Sequence, residues 1–364
     1  MSTGAADVTR IRSAIGTELD EFIERQRRDL AGIGDDLLPC VDAIADLLAG
    51  GKRLRAAFCY WGWRACGGAD RREIVAASAS LELLHASALV HDDVMDASDT
   101  RRGRPAAHRR FAARHAAAGW RGSGHDFGAG AAILIGDLLL AWTDEMLRAS
   151  GLAPAAVWRG LGVLDAMRTE VFSGQYLDLV AQASGASDVA SALRVVTYKS
   201  AKYTVERPLH LGAELARGAS GDMSGDSGLG PVRAFTDYGI PIGIAFQLRD
   251  DILGVFGDPV RTGKPVIDDL REGKRTVMLA MARERADREQ AAVLDRAIGD
   301  PLLTEAGAER VRAVITGTGA LAGCEAMIDR NVKDAVAALD QAPITPESKA
   351  ALADLAVAAT SRTD

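Results

Sequence analysis

The sequence predicts an all-α protein. Apolar residues recur at helical spacing along almost the whole chain, alanine and leucine dominate them, and the alternating β-branched pattern of strands is nearly absent. Glycine and proline gather at 67–68, 119–130, 151–154, 218–231, 257–265 and 317–323, where they punctuate the helices. With 48% hydrophobic residues among 364, the chain can bury a large core. The prior of roughly 150 residues per domain would allow two domains. Chemistry-bearing clusters lie on both sides of the glycine-rich stretch 218–231, however, so that stretch reads as a mobile loop inside one domain. The expectation is a single domain over 1–364, with 1–8 as a flexible N-terminal tail and no solenoid repeat.

A net charge of −7 argues against nucleic acid, which usually leaves a basic footprint on its partner. An anionic substrate would have to be held by local cations or metal. Cys40, Cys59, Cys66 and Cys324 form no CxxC pair and have no histidine at zinc-ligand spacing, so they read as free thiols of a reducing compartment. The N-terminus lacks the apolar core of a signal peptide. The most apolar stretch, 131–142, is interrupted by Asp137 and falls short of a membrane span. A cytoplasmic protein with no transmembrane segment is expected.

The first chemical cluster is LELLHASALVHDDVMDASDTRRGRP, beginning at Leu81. Its apolar spacing predicts a helix on which Asp92 and Asp96 are neighbours, with Cβ atoms about 5–6 Å apart. Asp93 lies beside them and Asp99 falls at the helix end. Stacked carboxylates repel, and magnesium, a hard cation that takes oxygen ligands, would relieve the repulsion. An isolated DDxxD is more often a solvated acidic helix end. Here Arg101, Arg102 and Arg104 follow at once, and carboxylates with guanidinium forks describe a site for metal-bridged diphosphate.

The second cluster is FQLRDDILGVFGDPVRTGKPVIDDLREGKRT, beginning at Phe246. Asp250 and Asp251 again end an apolar helical stretch, and Gln247 sits one turn before Asp251. Lys264 and Lys274 lie in glycine-containing loops, where backbone can approach a phosphate and lysine adds a point charge. The third cluster, GGKRLR at 50–55, is a cationic loop carrying Lys52, Arg53 and Arg55 into a helix. It lacks the GxxxxGK[ST] spacing of a nucleotide-binding P-loop, which argues against a kinase or nucleotide hydrolase. His85, two turns before Asp92 on the same face, would ordinarily be a satisfied core histidine. Lys199 and Lys202 in TYKSAKYTVERP fall on one face of a further helix, ordinarily an exposed one.

Together, in the order GGKRLR, LVHDDVMD…RRGRP, GQYLDL, YKSAKYT and FQLRDD…GKP…DDLREGKRT, these clusters resemble the trans-prenyl (polyprenyl) diphosphate synthase family. The wording is most similar to that of actinobacterial geranylgeranyl diphosphate synthases. The resemblance runs from about Gly50 to Thr276. It implies an isoprenoid synthase-type helical bundle around a deep central cavity, usually a cytoplasmic homodimer. It implies Asp92 and Asp96 as magnesium ligands bridging an allylic diphosphate, with Asp93 nearby, and Asp250 as a further ligand helped by Asp251. Two to three magnesium ions per site are expected. The resemblance assigns Arg101, Lys199, Gln247, Lys264 and Lys274 to the allylic substrate, and Lys52, Arg55, His85 and Arg102 to isopentenyl diphosphate; Arg53 and Ser200 belong to the same substrate-binding set.

Three departures stand out: Gly254 replaces the usual third aspartate of the second motif, Ser200 stands where many relatives have threonine, and Ala56 replaces a proline. Gly254 predicts that the metal site on that wall is either weaker or completed by water. The reaction implied is condensation of isopentenyl diphosphate with an allylic diphosphate of C5 to C15. Ionisation of the diphosphate would be stabilised by magnesium and cations. Looking back from Asp92, Ala88 and Ser87 are small while Leu84 and Leu81 are bulky, so growth should stop near C20, as geranylgeranyl diphosphate. A class I terpene cyclase would need a different second motif and no GGKRLR. A noncatalytic partner subunit draws support from Gly254 but not from the retained aspartate pairs.

Overall fold

The computed structural model describes residues 3–185, 188–220, 229–258 and 267–360. Among these, helices follow one another almost without interruption, and the only strands are β1 (Thr100–Arg101) and β2 (Arg104–Pro105), a two-stranded antiparallel hairpin. The all-α expectation holds. The chain divides into two compact units, one of residues 1–161 and 211–223, the other of 162–210 and 224–364.

The first unit contains α1 (Thr3–Ile33), α2 (Leu38–Leu48), α3 (Leu54–Ala65), α4 (Arg72–Met95), the hairpin, α5 (Ala107–Ala117) and α6 (Gly124–Arg148). It also takes the start of α7 (Pro154–Ser184) and the end of α9 (Arg207–Ser220). Helix α4 is its axis, packed against α1, α3, α5 and α6. It is apolar on nearly every face, as a helix enclosed by others must be, and Ile74, Ala77, Leu81, Leu83 and Leu84 are fully buried. Helix α3 is likewise enclosed, with Phe58, Tyr60, Trp61 and Trp63 in the core. Gly212 lets α9 cross it closely, since a Cβ there would lie 2.0 Å from the Cys59 carbonyl oxygen.

The second unit holds the rest of α7, α8 (Val189–Val195), a wide-turned π-helical segment (Val196–Glu206) and α10 (Leu229–Phe256). Then follow α11 (Asp268–Arg271), α12 (Val277–Arg285), α13 (Arg288–Ala297), α14 (Glu305–Gly317), α15 (Ala320–Gln341) and α16 (Pro346–Thr360). Helix α10 packs on α15, α16, α12 and the π segment. Its inner residues Ala245, Leu248, Ile252 and Val255 join Val277, Met278, Leu294, Val311 and Cys324 in one core.

Three expectations need restating. Helix α1 begins at Thr3, within the stretch read as a tail. Of the loop read at 218–231, residues 218–220 end α9 and 229–231 open α10, while 221–228 lie outside the described residues. The apolar stretch 131–142 belongs to the 25-residue helix α6, so shortness does not exclude a span. Both α6 and the 24-residue α4 are long and apolar enough to cross a membrane, although 72% of the α4 window is buried inside the protein.

Candidate functional sites on α4 and α10

Asp92 and Asp93 close α4, and Asp96 is its C-cap. The helix stops there through paired backbone bonds: Ala97 N–H reaches the Val94 carbonyl at 3.4 Å, and Ser98 N–H reaches that of Asp93 at 3.0 Å. This is a Schellman turn, with Ala97 left-handed at φ 52°. The turn sends the chain into the hairpin, whose loop residues Arg102 and Gly103 have φ 54° and 73°, the paired positive values of a tight hairpin turn. The hairpin returns Arg101 to Asp93, with Nε 2.9 Å from Oδ1. Asp93 is 2% exposed, whereas Asp92 and Asp96 are half-buried. The adjacent aspartates therefore differ: Asp93 is buried and anchors Arg101, while Asp92 and Asp96, one turn apart, stay half-buried.

A cationic cluster lies in the same unit. Arg53, left-handed at φ 54° where α3 begins, puts Nη1 3.3 Å from Glu82 and its other Nη on the Leu48 carbonyl. The side chains of Arg53 and Glu82 are 7% and 5% exposed, so Arg53 is a buried structural ion pair more than the substrate contact expected of it. Arg102 donates to the Leu47 carbonyl at 2.6 Å and lies against Gly51, where a Cβ would be 3.4 Å from its guanidinium. Lys52 is exposed and Arg55 half-buried. Burial, then Arg55, Arg102, Arg101 and Arg53, push the His85 imidazole well below its ordinary value, so it stays neutral and can donate one N–H. Arg104 is taken by Asp46, which also holds Arg110 at 2.7 Å. Ser87 is fully buried and its hydroxyl donates to the Gly136 carbonyl of α6 at 2.8 Å. It faces α6; of the four positions read as a length-limiting floor, Leu81 and Leu84 are fully buried and Ala88 is half-buried.

In the second unit the same division recurs. Asp250 is half-buried, and Asp251 is 8% exposed and accepts from Gln247 Nε2 at 2.8 Å. Burial, with Asp269 and Asp250 adding to it, pushes the Asp251 carboxyl up to about 7, against the opposing pull of Gln247 and Lys274. Lys274 reaches Asp269 at 3.0 Å and Glu272 at 2.9 Å. Lys264 lies outside the described residues. Lys199 and Lys202 do not share a target: Lys199 Nζ meets Asp178 at 2.6 Å, and Lys202 meets Glu170 at 2.8 Å and Glu206 at 3.3 Å. Their partners on α7, Asp178 and Glu170, are eight residues apart, about 12 Å along its axis. The π geometry is the cause, because the helical repeat that would align residues three apart does not apply to 196–206. Ser200 is buried in that segment. Glu170 also takes Arg207 at 2.7 Å, so one carboxylate ties the π segment to α9.

Both sites offer hard carboxylate oxygens, the donor type that suits magnesium. Burial does most to raise the Asp251 carboxyl, and the repulsion that Asp269 and Asp250 add to it is what a divalent cation would relieve. Among the described residues no three carboxylate, histidine or cysteine side chains are grouped to hold an ion by themselves. The residues thus fit magnesium of the kind that keeps water and substrate oxygens in its shell. Glu82, Asp178, Glu170 and Asp269 were not singled out from sequence; the signal for Glu82 was a lone charge in the apolar run LELLHASAL, and Asp178 stands in GQYLDL.

The polyprenyl synthetase family profile matches residues 39–315. The chain is 35% identical to a geranylfarnesyl diphosphate synthase of Aeropyrum pernix, covering 83% of this chain and 87% of that one. It is 32% identical to a geranylgeranyl diphosphate synthase of Mycobacterium tuberculosis, covering 94% and 91%. The crystal structure of geranylgeranyl pyrophosphate synthase from Corynebacterium glutamicum, complexed with isoprenyl diphosphate and magnesium, superposes with TM-score 0.90 at 38% identity, over 97% of this chain and 99% of that one. The chain belongs to the polyprenyl synthetase family and has the all-α fold of its structural neighbours. Within that family it is a prenyltransferase of the trans-prenyl diphosphate synthase class, as its resemblance to the actinobacterial enzymes indicated.

Proposed function

We propose that this chain, as one polyprenyl synthetase domain, condenses isopentenyl diphosphate with allylic diphosphates of C5 to C15 and delivers geranylgeranyl diphosphate. The observation that carries the reading is the pairing of Asp92 and Asp96 beside a convergent set of arginines around neutral His85. The carboxylates suit a metal-bound diphosphate, and the cations suit a second diphosphate. The relatives' names and the magnesium and isoprenyl diphosphate of the Corynebacterium structure support it.

In this reading Asp92, Asp96 and Asp250 hold magnesium, two to three ions per site, which supplies Lewis-acid neutralisation of the diphosphate. Lys199, Gln247, Lys264, Lys274 and Arg101 orient the allylic diphosphate as charge develops on it. Arg55, Arg102, Lys52 and His85 hold isopentenyl diphosphate so that its double bond is presented to the allylic carbon. Asp93 and Asp251 position their neighbours. Chain growth runs back along α4 from Ala88 towards Leu84 and Leu81, about one isoprene unit per 5.4 Å helical turn. We take the working form as a cytoplasmic homodimer.

The test is incubation of the purified protein with magnesium, isopentenyl diphosphate and each primer from C5 to C15, with products sized by chromatography. C20 product from every primer is expected. Absence of condensation with all primers would defeat the enzymatic reading, and products of C30 or longer would defeat the assignment of the floor.

A further inference from the structure

Gly254 stands where the second motif ordinarily has its third aspartate. Gly254 follows Asp250 by four residues on α10, the same spacing that relates Asp96 to Asp92, so its side-chain position neighbours Asp250. That position is filled. A Cβ at 254 would lie 2.0 Å from Asp269 Oδ2, 3.1 Å from its Cγ and 3.8 Å from its Cβ. The carboxylate of Asp269, fifteen residues on in sequence, therefore stands where the side chain of residue 254 would begin.

Asp269 is held there by its own surroundings. Helix α11 ends in a second Schellman turn: Gly273 N–H reaches the Leu270 carbonyl at 3.2 Å, Lys274 N–H reaches that of Asp269 at 3.2 Å, and Gly273 has φ 75°. The turn brings Lys274 back, and its Nζ takes Asp269 Oδ1 at 3.0 Å. Oδ1 thus carries the lysine while Oδ2 faces Gly254. Asp93 and Arg101 repeat the pattern on α4, with an aspartate three positions inside a Schellman turn gripping a cation just beyond it.

We infer that Asp269 supplies through space the third carboxylate of the α10 metal wall, and that residue 254 is glycine because any side chain there would evict it. The inference rests on the magnesium diphosphate chemistry proposed above. It gives the α10 wall a further carboxylate borne by α11, with water and diphosphate oxygens to fill the rest of the ion's shell, since among the described residues no three side chains are grouped to hold an ion by themselves. Writing the ordinary motif back into the sequence should then damage the site.

The experiment is calorimetric titration of magnesium into the full-length protein with inorganic diphosphate, on wild type, Asp269→Asn, Gly254→Asp and the double variant Gly254→Asp/Asp269→Ala. Asp269→Asn should weaken magnesium binding 10- to 100-fold, the range for removing a group that supports a bound metal. Gly254→Asp alone should weaken it at least as much. The double variant moves the carboxylate onto α10 and should recover affinity to within a few-fold of wild type, a rescue that a purely structural role for Asp269 would not give. Magnesium binding by Asp269→Asn equal to wild type, or tighter binding by Gly254→Asp alone, overturns the inference while leaving the functional reading intact. A wild-type protein that binds no magnesium with diphosphate overturns both.

Discussion

Replacing Gly174 with alanine tests whether the π segment is clamped by α7. A Cβ at 174 would lie 2.3 Å from the Lys199 backbone nitrogen and 2.7 Å from both Lys199 Cα and the Tyr198 carbonyl carbon. These are backbone atoms, which cannot rotate away, and ordinary contact begins near 3.4 Å. The two segments must therefore part by about 1 Å, the shortfall of the shortest contact. Overpacking of this kind costs about 1–3 kcal/mol, offset by roughly 0.5–1 kcal/mol because alanine is the better helix former. The net loss of stability should be about 1–2 kcal/mol. The larger effect falls on turnover: displacing Lys199 by about 1 Å should lower kcat on the order of 100-fold. Urea unfolding and steady-state kinetics measure the two effects. Gly162→Ala serves as control on the same helix, because its Cβ would meet nothing within 4 Å. That variant should gain about 0.5–1 kcal/mol and keep wild-type kcat. Wild-type stability and turnover in Gly174→Ala would refute the clamp.

Removing the Asp93 carboxylate leaves Arg101 without its buried counter-charge, and Asp93→Ala should lose about 3–5 kcal/mol in chemical denaturation. Phe at 88 should shorten the product, read by chromatography, while Phe at the fully buried, α6-facing position 87 should chiefly lower the melting temperature. His85 should make stability fall in acid. Its folded pKa lies below the ordinary 6.5, so the unfolded chain takes up the proton first. Stability is fully present above about 6.5 and is lost as pH falls towards the depressed folded value; His85→Gln should flatten that acid limb in urea midpoints between pH 5 and 7.

The helical class was legible because apolar spacing is a property of the local sequence, and the aspartate pairs were legible because carboxylates at i and i+4 share a face in any α-helix. What sequence could not show was which member of each pair turns inward. Asp93 and Asp251 are the more buried members, and what surrounds them comes largely from other segments, Arg101 of the hairpin at Asp93 and Asp269 of α11 at Asp251, beside Gln247 of α10 itself. Arg53 looked like Arg55 until Glu82 of α4 was found against it. Lys199 and Lys202 were placed on one face by an α-helical rule that the π segment breaks, and nothing in TYKSAKYT announces the wider turn. Gly254 was read as a gap because its neighbour in space, Asp269, is distant in sequence.

Among the described residues, three other than glycine have left-handed backbone, Arg53, Ala97 and Arg102, and they set a trap for anyone selecting heat-resistant variants. Glycine at each would relieve about 1–2 kcal/mol of steric cost. At Ala97, exposed and at the helix-ending position glycine prefers, the gain comes free of other loss. At Arg53 and Arg102 the same exchange deletes a guanidinium from the cationic cluster. A screen that rewards survival at high temperature alone would reject glycine at 53, where stripping Glu82 of its buried partner costs about 3–5 kcal/mol, would accept it at 102 at the expense of turnover, and only at 97 would heat and turnover choose the same residue.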